Sequence, residues 1–187
     1  MASERKIRLV AIVAVLALAG FVAFAIVRAT SAHTGSFPAV PSPSQLRSGE
    51  RAPAFRAARL GGGAAIVYAG HSNEPVVMNF FASWCSNCVA ELAAFSSVSH
   101  ATTGTRFVGV DSDDSSPASA MRLLRQAGIA YPVGLDSSGA IADRYLVSAL
   151  PVTFFIAANG TVKGELFGAA SAVELRSWVA RLETGAS

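Results

Sequence analysis

An apolar run leads directly into a closely spaced cysteine pair in the stretch VVMNFFASWCSNC, residues 76–88. Cys85 and Cys88 are the only cysteines of the chain, and apolar side chains at helical spacing follow them. This pattern predicts a buried strand that runs into a helix with both sulfurs in its first turn. The unpaired amide groups and the dipole of a helix N-terminus stabilise a thiolate. We therefore expect the thiol of Cys85, the outer residue, to ionise more readily than a free cysteine.

The spacing of the two cysteines favours a redox pair. Cys88 lies one helical turn after Cys85, close enough for a disulfide and better shielded from solvent. Such a pair can exchange two electrons with another dithiol through a mixed disulfide. A zinc site would need about four ligands, and the chain has neither a second cysteine pair nor a paired histidine motif. A structural disulfide would close a very small loop and add little stability. We predict neither a metal nor a cofactor.

A long apolar segment near the start of the chain predicts a membrane anchor, residues 7–27. The 19 positions Leu9–Val27 contain no charged residue and would form a helix of roughly 28 Å, enough to cross a bilayer core. Basic residues at positions 5–8 precede it, so the N-terminus is expected in the cytoplasm and the rest outside. A cleaved signal peptide is the alternative, with small residues at positions 30–32 near a cleavage point.

The remaining chain divides into a tether and one domain. Residues 1–30 comprise the cytoplasmic N-terminus and the anchor, the Ser- and Pro-rich residues 31–45 are the tether, and residues 46–187 form the domain. The formal charge of +3 lies entirely within residues 1–32, and the rest of the chain sums to zero. The basic pI of 9.2 is therefore no evidence for nucleic-acid binding.

Strand and helix patterns alternate along the domain. Strands are predicted within residues 52–60, 64–68, 76–81, 106–110, 131–135, 150–156 and 161–167, and helices from residue 86 to about 100, over 117–127 and 139–146, and after Ser171. Asn159-Gly160 marks a hairpin, and Ser171 with Glu174 marks a capping box. This order predicts an α/β fold with a mixed central sheet flanked by helices.

An acidic segment, DSDDSS at residues 111–116, superficially resembles a calcium loop. An EF-hand would require glycine at its sixth position and glutamate at its twelfth, where this chain has Ser116 and Arg122. We therefore interpret the segment as a solvated loop that supplies a helix cap, with Pro117 at the first helical position.

Three separated motifs resemble membrane-anchored thioredoxin-fold proteins of the TlpA/ResA type. They are GERAPAF at residues 49–55, VMNFFASWC at 77–85, and the block at 145–156 that contains Leu150-Pro151-Val152-Thr153. The resemblance covers roughly residues 49–183. It implies a thioredoxin-like fold with an N-terminal β-hairpin extension and a central insertion over residues 111–146.

The resemblance also implies roles for two polar residues near the cysteines. Asn79 stands where ordinary thioredoxins have a buried aspartate, as is usual in the TlpA/ResA family. Glu91, three residues after Cys88, occupies the place of the family's glutamate. It would be a partly buried acid that relays the proton of Cys88. Burial should raise the pKa of this carboxyl group, whereas a solvated glutamate on the helix surface is the alternative.

On the substrate side, the resemblance implies that Pro151 is cis and packs against the disulfide. Leu150 would then offer its backbone to a bound substrate, and Trp84 would contact the substrate as well. An ordinary trans proline at the start of an edge strand is the alternative. The chain departs from the family at Asn87, where proline is common, and at Ala93. The Ser86-Asn87 dipeptide carries no charge, and no reduction potential follows from it.

The leading hypothesis is an extracytoplasmic thiol:disulfide oxidoreductase that reduces protein disulfides. Cys85 would attack the substrate and Cys88 would resolve the mixed disulfide, with electrons supplied by a membrane protein. By resemblance, apocytochrome c is one candidate substrate. A disulfide-donating oxidase of secreted proteins is the alternative within the same class. A copper-binding assembly factor is less favoured, because the cysteine spacing is short and the histidines at positions 33, 71 and 100 lie outside any ligand motif. The peroxidase pattern P-x-x-x-T-x-x-C does not occur.

Overall fold

The computed structural model describes residues 46–185. The predicted anchor and tether lie outside these residues. Between residues 46 and 185, no helix combines the length and apolar character needed to cross a membrane. Leu46, the first described residue, is buried in the core.

Seven strands and four helices alternate along the described chain. The strands are β1 (Phe55–Arg59), β2 (Ile66–Tyr68), β3 (Val76–Phe81), β4 (Arg106–Ser112), β5 (Val133–Asp136), β6 (Val152–Ile156) and β7 (Val162–Phe167). The helices are α1 (Ser86–Ala101), α2 (Pro117–Ala127), α3 (Ala140–Arg144) and α4 (Ala172–Thr184). The helix ends have the predicted caps: Gly128 closes α2 in the left-handed conformation, and Ser171 with Glu174 forms the capping box of α4.

The strands form one mixed sheet in the order β2-β1-β5-β4-β3-β6-β7. The strands β3, β4 and β5 are parallel to one another, whereas every other neighbouring pair is antiparallel. Two predicted hairpins are present, β1–β2 at one edge and β6–β7 at the other. The segment between β4 and β6 contains α2, β5 and α3, and β5 enters the sheet beside β4. The predicted α/β fold with a mixed central sheet is confirmed.

The strand β3 lies in the interior of the sheet and is buried along its whole length. Its side chains point alternately to the two faces of the sheet. Met78 and Phe80 pack with α3 and β1 on one face, whereas Val77 packs with α1 and α4 on the other. A third apolar cluster joins Phe81, at the end of β3, to the two cysteines and α2. The strand therefore brings its C-terminal end, and the chain that follows it, to a position between packed helices.

The interpretation of residues 111–116 as a solvated loop was wrong for Asp111, Ser112 and Asp114, whereas Asp113 and Ser115 are exposed and Pro117 begins the next helix as predicted. β4 extends to Ser112, and Asp111, Ser112 and Asp114 are all buried. Asp111 and Ser112 pair with β5, which is remote in sequence, and this pairing holds them in the sheet. Ser116 is the N-cap of α2, but its side chain makes no capping hydrogen bond.

Candidate active site

The two sulfur atoms lie at the N-terminus of α1, as the sequence predicts. Cys85 is the N-cap residue and Cys88 lies in the first turn, and the two form a disulfide with Cα atoms 5.2 Å apart. The backbone N–H of Cys88 donates a hydrogen bond of 3.2 Å to Cys85 Sγ. One of the amide groups that a helix start leaves unpaired is thus directed at this sulfur. In the reduced protein the same donor would stabilise a thiolate on Cys85.

The two cysteines differ in their exposure to solvent. Cys85 is 8% exposed, whereas Cys88 is fully buried at 0%. Trp84, directly before the pair, is 62% exposed, and its indole N–H donates a 3.0 Å hydrogen bond to the Asp113 carbonyl oxygen. A large aromatic surface therefore lies in solvent beside the more accessible sulfur.

Glu91 lies one turn beyond Cys88 and is buried more completely than expected, with 1% of its surface exposed. Its Oε1 accepts a 2.8 Å hydrogen bond from Asn79 Nδ2, and its Oε2 accepts a 2.9 Å bond from the backbone N–H of Ala170. Burial raises the pKa of Glu91 to about 7, and the two hydrogen bonds oppose that rise. The expected direction of this shift is confirmed. A carboxyl group of this kind can gain or lose a proton near neutral pH.

Asn79 links Glu91 to the strand that follows the proline. Besides its bond to Glu91, the Asn79 amide nitrogen donates a 3.2 Å hydrogen bond to Thr153 Oγ1. Asn79 and Thr153 are directly opposite each other in the β3–β6 pair. The Asn79 oxygen has no hydrogen-bond partner. A rotation of the amide by half a turn would present this oxygen to a protonated Glu91, so Asn79 can serve either protonation state of the carboxyl group.

The Leu150–Pro151 peptide bond is cis, which confirms that prediction. Leu150 is partly buried and packs against the apolar cluster that contains both cysteines. A groove of about 370 Å³ lies beside it, and its lining includes Trp84, Leu150, Val147 and Asp113. The structure thus brings all the sequence-predicted site residues to one region, around the start of α1. Their roles in binding or proton transfer stay predictions.

Sequence reasoning did not find several groups that hold this site. Thr153 and the Ala170 amide contact Asn79 and Glu91 from distant parts of the chain. Asp114 accepts a 2.7 Å hydrogen bond from the backbone N–H of Ser83, two residues before Cys85. No local sequence signal marks these contacts, because each depends on strand register or on a turn closed by tertiary packing.

Within residues 46–185, no three His, Cys, Asp or Glu side chains come together in an arrangement that could hold a metal ion. His100 lies near the end of α1 opposite to the cysteines. The helical rise over the intervening 15 positions is about 22 Å. This histidine therefore cannot complete a copper site with Cys85 and Cys88.

Comparison with known proteins agrees with the geometry of this site. The model of the AhpC/TSA family matches residues 48–164, more than half of the chain. The chain belongs to the AhpC/TSA family. Residues 48–164 include the two cysteines, Glu91 and the cis proline.

Relatives of this AhpC/TSA family member carry names of thiol–disulfide chemistry. The chain is 25% identical over 140 residues to the thiol-disulfide oxidoreductase ResA of Bacillus thuringiensis, covering 74% of this chain and 80% of the relative. It is 36% identical over 90 residues to the thiol:disulfide interchange protein DsbE of Haemophilus influenzae, covering 48% of each. It also resembles the crystal structure of a secreted Mycobacterium tuberculosis disulfide oxidoreductase, with a TM-score of 0.63, 29% identity, and coverage of 68% and 96%.

These findings confirm the class predicted from the sequence. Family, fold and the Cys85–Cys88 disulfide together identify a thioredoxin-fold thiol:disulfide oxidoreductase.

Proposed function

We propose that this protein reduces protein disulfides outside the cytoplasm, tethered to the membrane by its N-terminal segment. The observation that carries the exchange chemistry is the placement of Cys85, which is 8% exposed, at a helix start, with the fully buried Cys88 and the buried carboxyl group of Glu91 behind it.

Cys85 performs the first step. Its thiolate attacks one sulfur of the substrate disulfide, a bond forms between Cys85 Sγ and that sulfur, and the other substrate sulfur leaves as a thiolate. The Cys88 amide that donates to Cys85 Sγ favours the thiolate before the attack. The groove beside Trp84 and Leu150 accommodates the substrate chain next to the reacting sulfur.

Cys88 performs the second step with the help of Glu91. The ionised Glu91 takes the proton of the Cys88 thiol, and the Cys88 thiolate attacks Cys85 Sγ. The Cys85–Cys88 disulfide forms, and the substrate leaves with its second sulfur as a thiolate, so two electrons pass to the substrate. A base is needed because Cys88 is fully buried, and a buried thiol ionises reluctantly. A carboxyl group with a pKa of about 7 is suited to accept this proton at neutral pH.

The proposed direction is supported by the charges near the pair. A strongly oxidising disulfide requires a reduced form in which the thiolate is highly stabilised. The buried Glu91 adds negative charge when it ionises. This charge works against an exceptionally stable thiolate and favours a reductant over a disulfide donor.

We infer the location and the partners from the sequence and the resemblance. The basic residues before the apolar segment favour an N-terminus in the cytoplasm and a catalytic domain outside. Because that compartment is oxidising, a membrane protein must supply the electrons. We extend the proposal to apocytochrome c as substrate, in cytochrome c maturation, since the TlpA/ResA resemblance implies it.

The reduction potential of the dithiol tests the direction. We expect equilibration with glutathione or dithiothreitol buffers to give a value near that of thioredoxin, about −270 mV, and not near the DsbA value of about −120 mV. The full-length protein should also be mainly reduced when its thiols are alkylated in living cells. A potential near the DsbA value, with a mainly disulfide form in cells, would establish the oxidase alternative instead.

A further inference from the structure

Asp111, at the end of β4, is a buried acid whose oxygens find no ordinary donor. Its side chain is 1% exposed, and neither carboxyl oxygen has a hydrogen-bond partner. Burying an unpaired carboxylate costs several kcal/mol or more, so such a group either is paired or keeps its proton. The thiol chemistry described above makes no use of this residue.

The group beside Asp111 is another buried carboxyl group, that of Asp114, which is 4% exposed. Two carboxylates can only accept hydrogen bonds, so their contact becomes a hydrogen bond only when one of them carries a proton. Asp114 Oδ2 accepts from the Ser83 N–H at 2.7 Å and Oδ1 accepts from the Ser116 N–H at 2.8 Å. These donors favour a charged Asp114, and Asp111 is therefore the partner that holds the proton.

The end of β4 and the turn after it, residues 111–114, also hold the segment that carries the reacting sulfur. Asp111 is opposite Phe81 in the β3–β4 pair, four residues before Cys85. Asp114 binds the backbone of Ser83, and the Asp113 carbonyl oxygen accepts from the Trp84 indole. Both residues directly before Cys85 are thus hydrogen-bonded to this one turn.

We propose that Asp111 and Asp114 form a carboxylic acid–carboxylate pair that fixes the segment Ser83–Cys85, and that both are positioning residues for thiol–disulfide exchange. The inference requires only the exchange chemistry of Cys85 and holds for either direction of electron flow. It differs from the role proposed for Glu91, which lies on α1 and is held by Asn79 and Ala170.

The charged groups around Asp111 determine how the pair responds to pH. In the sheet, the apolar Phe81 of β3 and Leu135 of β5 are opposite Asp111, Asp136 is opposite the neighbouring Ser112, and the turn contributes Asp113 and Asp114. The Asp136 carboxylate is not paired with Asp111. It accepts hydrogen bonds from the N–H groups that begin α3 and from the Ser112 hydroxyl group. Burial, with the charge and the hydrogen bond of Asp114, raises the pKa of Asp111 to about 7, whereas the pKa of Asp114 is lowered.

The loss of the proton shared by Asp111 and Asp114 should therefore weaken the hydrogen bonds that hold the segment Ser83–Cys85. Above the pKa of Asp111, two carboxylates face each other without a hydrogen bond between them and repel. Asp114 is then less firmly held, and its bond to Ser83 and the neighbouring bond of Trp84 weaken. The indole N–H of Trp84 is a spectroscopic probe of this change.

The first test follows the Trp84 indole resonance by NMR in the oxidised full-length protein, in which the cysteines do not titrate. Trp84→Phe assigns the peak. We expect a transition with a midpoint near 7, present also in Glu91→Gln and absent in Asp111→Asn. Asp113→Asn is the matched control, because it removes one charge from an exposed position of the same turn and should keep the transition. A transition that persists in Asp111→Asn, or a wild-type resonance that does not move between pH 5.5 and 8.5, overturns the proposal.

The second test asks whether the pair matters for exchange. The second-order rate constant of the reduced protein with oxidised glutathione is measured at about pH 6, below the pKa of Asp111. We expect Asp111→Ala to slow exchange roughly tenfold, as small displacements of reacting groups do. Asp111→Asn should restore most of the rate, because its amide can still donate to Asp114. Equal rates in the two variants would refute a positioning role, and if Asp111→Ala does not fold, the NMR titration decides.

Discussion

Replacing Glu91 by glutamine should change how the stability of the protein depends on pH. In the oxidised structure Glu91 is buried and accepts hydrogen bonds from Asn79 and from the Ala170 amide. The folded state favours the protonated acid, because burial penalises the charge more than the two donors reward it. Glutamine preserves the shape but does not titrate. Like the protonated acid, it keeps both hydrogen bonds when the Asn79 amide rotates by half a turn, since its amide then donates to Asn79 and its oxygen accepts from the Ala170 N–H.

The pKa of Glu91 sets the size of the effect. It rises from 4.5 to about 7 on folding. The contribution of Glu91 to the free energy of unfolding is therefore greatest below pH 4.5. It falls as the pH rises toward 7 and stays constant above that. Between pH 5 and pH 8 the linkage relation gives a loss of roughly 2–3 kcal/mol in the stability of wild type, which Glu91→Gln does not show. Glu91→Gln should consequently be comparable to wild type at pH 5 and the more stable protein at pH 8.

Urea unfolding of the oxidised proteins, followed by circular dichroism at several pH values between 5 and 8, measures this difference. The contribution of Asp111 to the pH dependence is common to both proteins and cancels. Glu74→Gln is the matched control, since Glu74 is exposed and its replacement should leave the pH dependence unchanged. A difference between wild type and Glu91→Gln that stays constant within about 0.5 kcal/mol from pH 5 to pH 8 would refute a raised pKa of the buried carboxyl group.

Two further predictions concern the order of the sulfurs and the last helix. Cys88→Ser should accumulate a mixed disulfide between Cys85 and substrate, visible on non-reducing gels, whereas Cys85→Ser should trap none because Cys88 is fully buried; equal trapping would reverse the roles of the two sulfurs. Ser171→Ala should lower the free energy of unfolding by about 1 kcal/mol, because it removes the acceptor of the 3.2 Å bond from the Glu174 N–H. Ser177→Ala, at an exposed position within α4, should show no such loss in the same urea titration.

The sequence predicts the local features of the site well, because each depends on neighbouring residues. The run from Val76 to Phe81 is short and apolar on both faces, as a buried central strand requires, and the helix after Cys85 shows its own periodicity. The glycine that ends α2 and the capping box of α4 are likewise local signals. The prediction that Pro151 is cis came from the resemblance to a family, since nothing in the neighbouring residues requires that isomer.

The contacts that tune the site depend on parts of the chain that are far apart. The amide that bonds Glu91 belongs to Ala170, 79 positions further on. Thr153 reaches Asn79 only because β3 and β6 pair in one particular register. Hydrophobic pattern restricts such a register but does not reveal which polar atoms will meet across it. The resemblance suggested a partly buried Glu91, whereas its full enclosure requires knowledge of all three elements around it.

Asp111 shows why the composition of an acidic stretch can wrongly predict that all its side chains are exposed to solvent. Three aspartates and three serines in six positions are typical of a solvated turn, and for the exposed Asp113 that interpretation is correct. Asp111 is buried because it belongs to β4, which lies between β3 and β5 in the sheet. A lone carboxylate there would be strongly destabilising, so a neighbour that shares its proton is what makes the position tolerable. That neighbour, Asp114, also binds Ser83, and the arrangement that accommodates a buried acid thereby reaches the backbone two residues from the reacting sulfur.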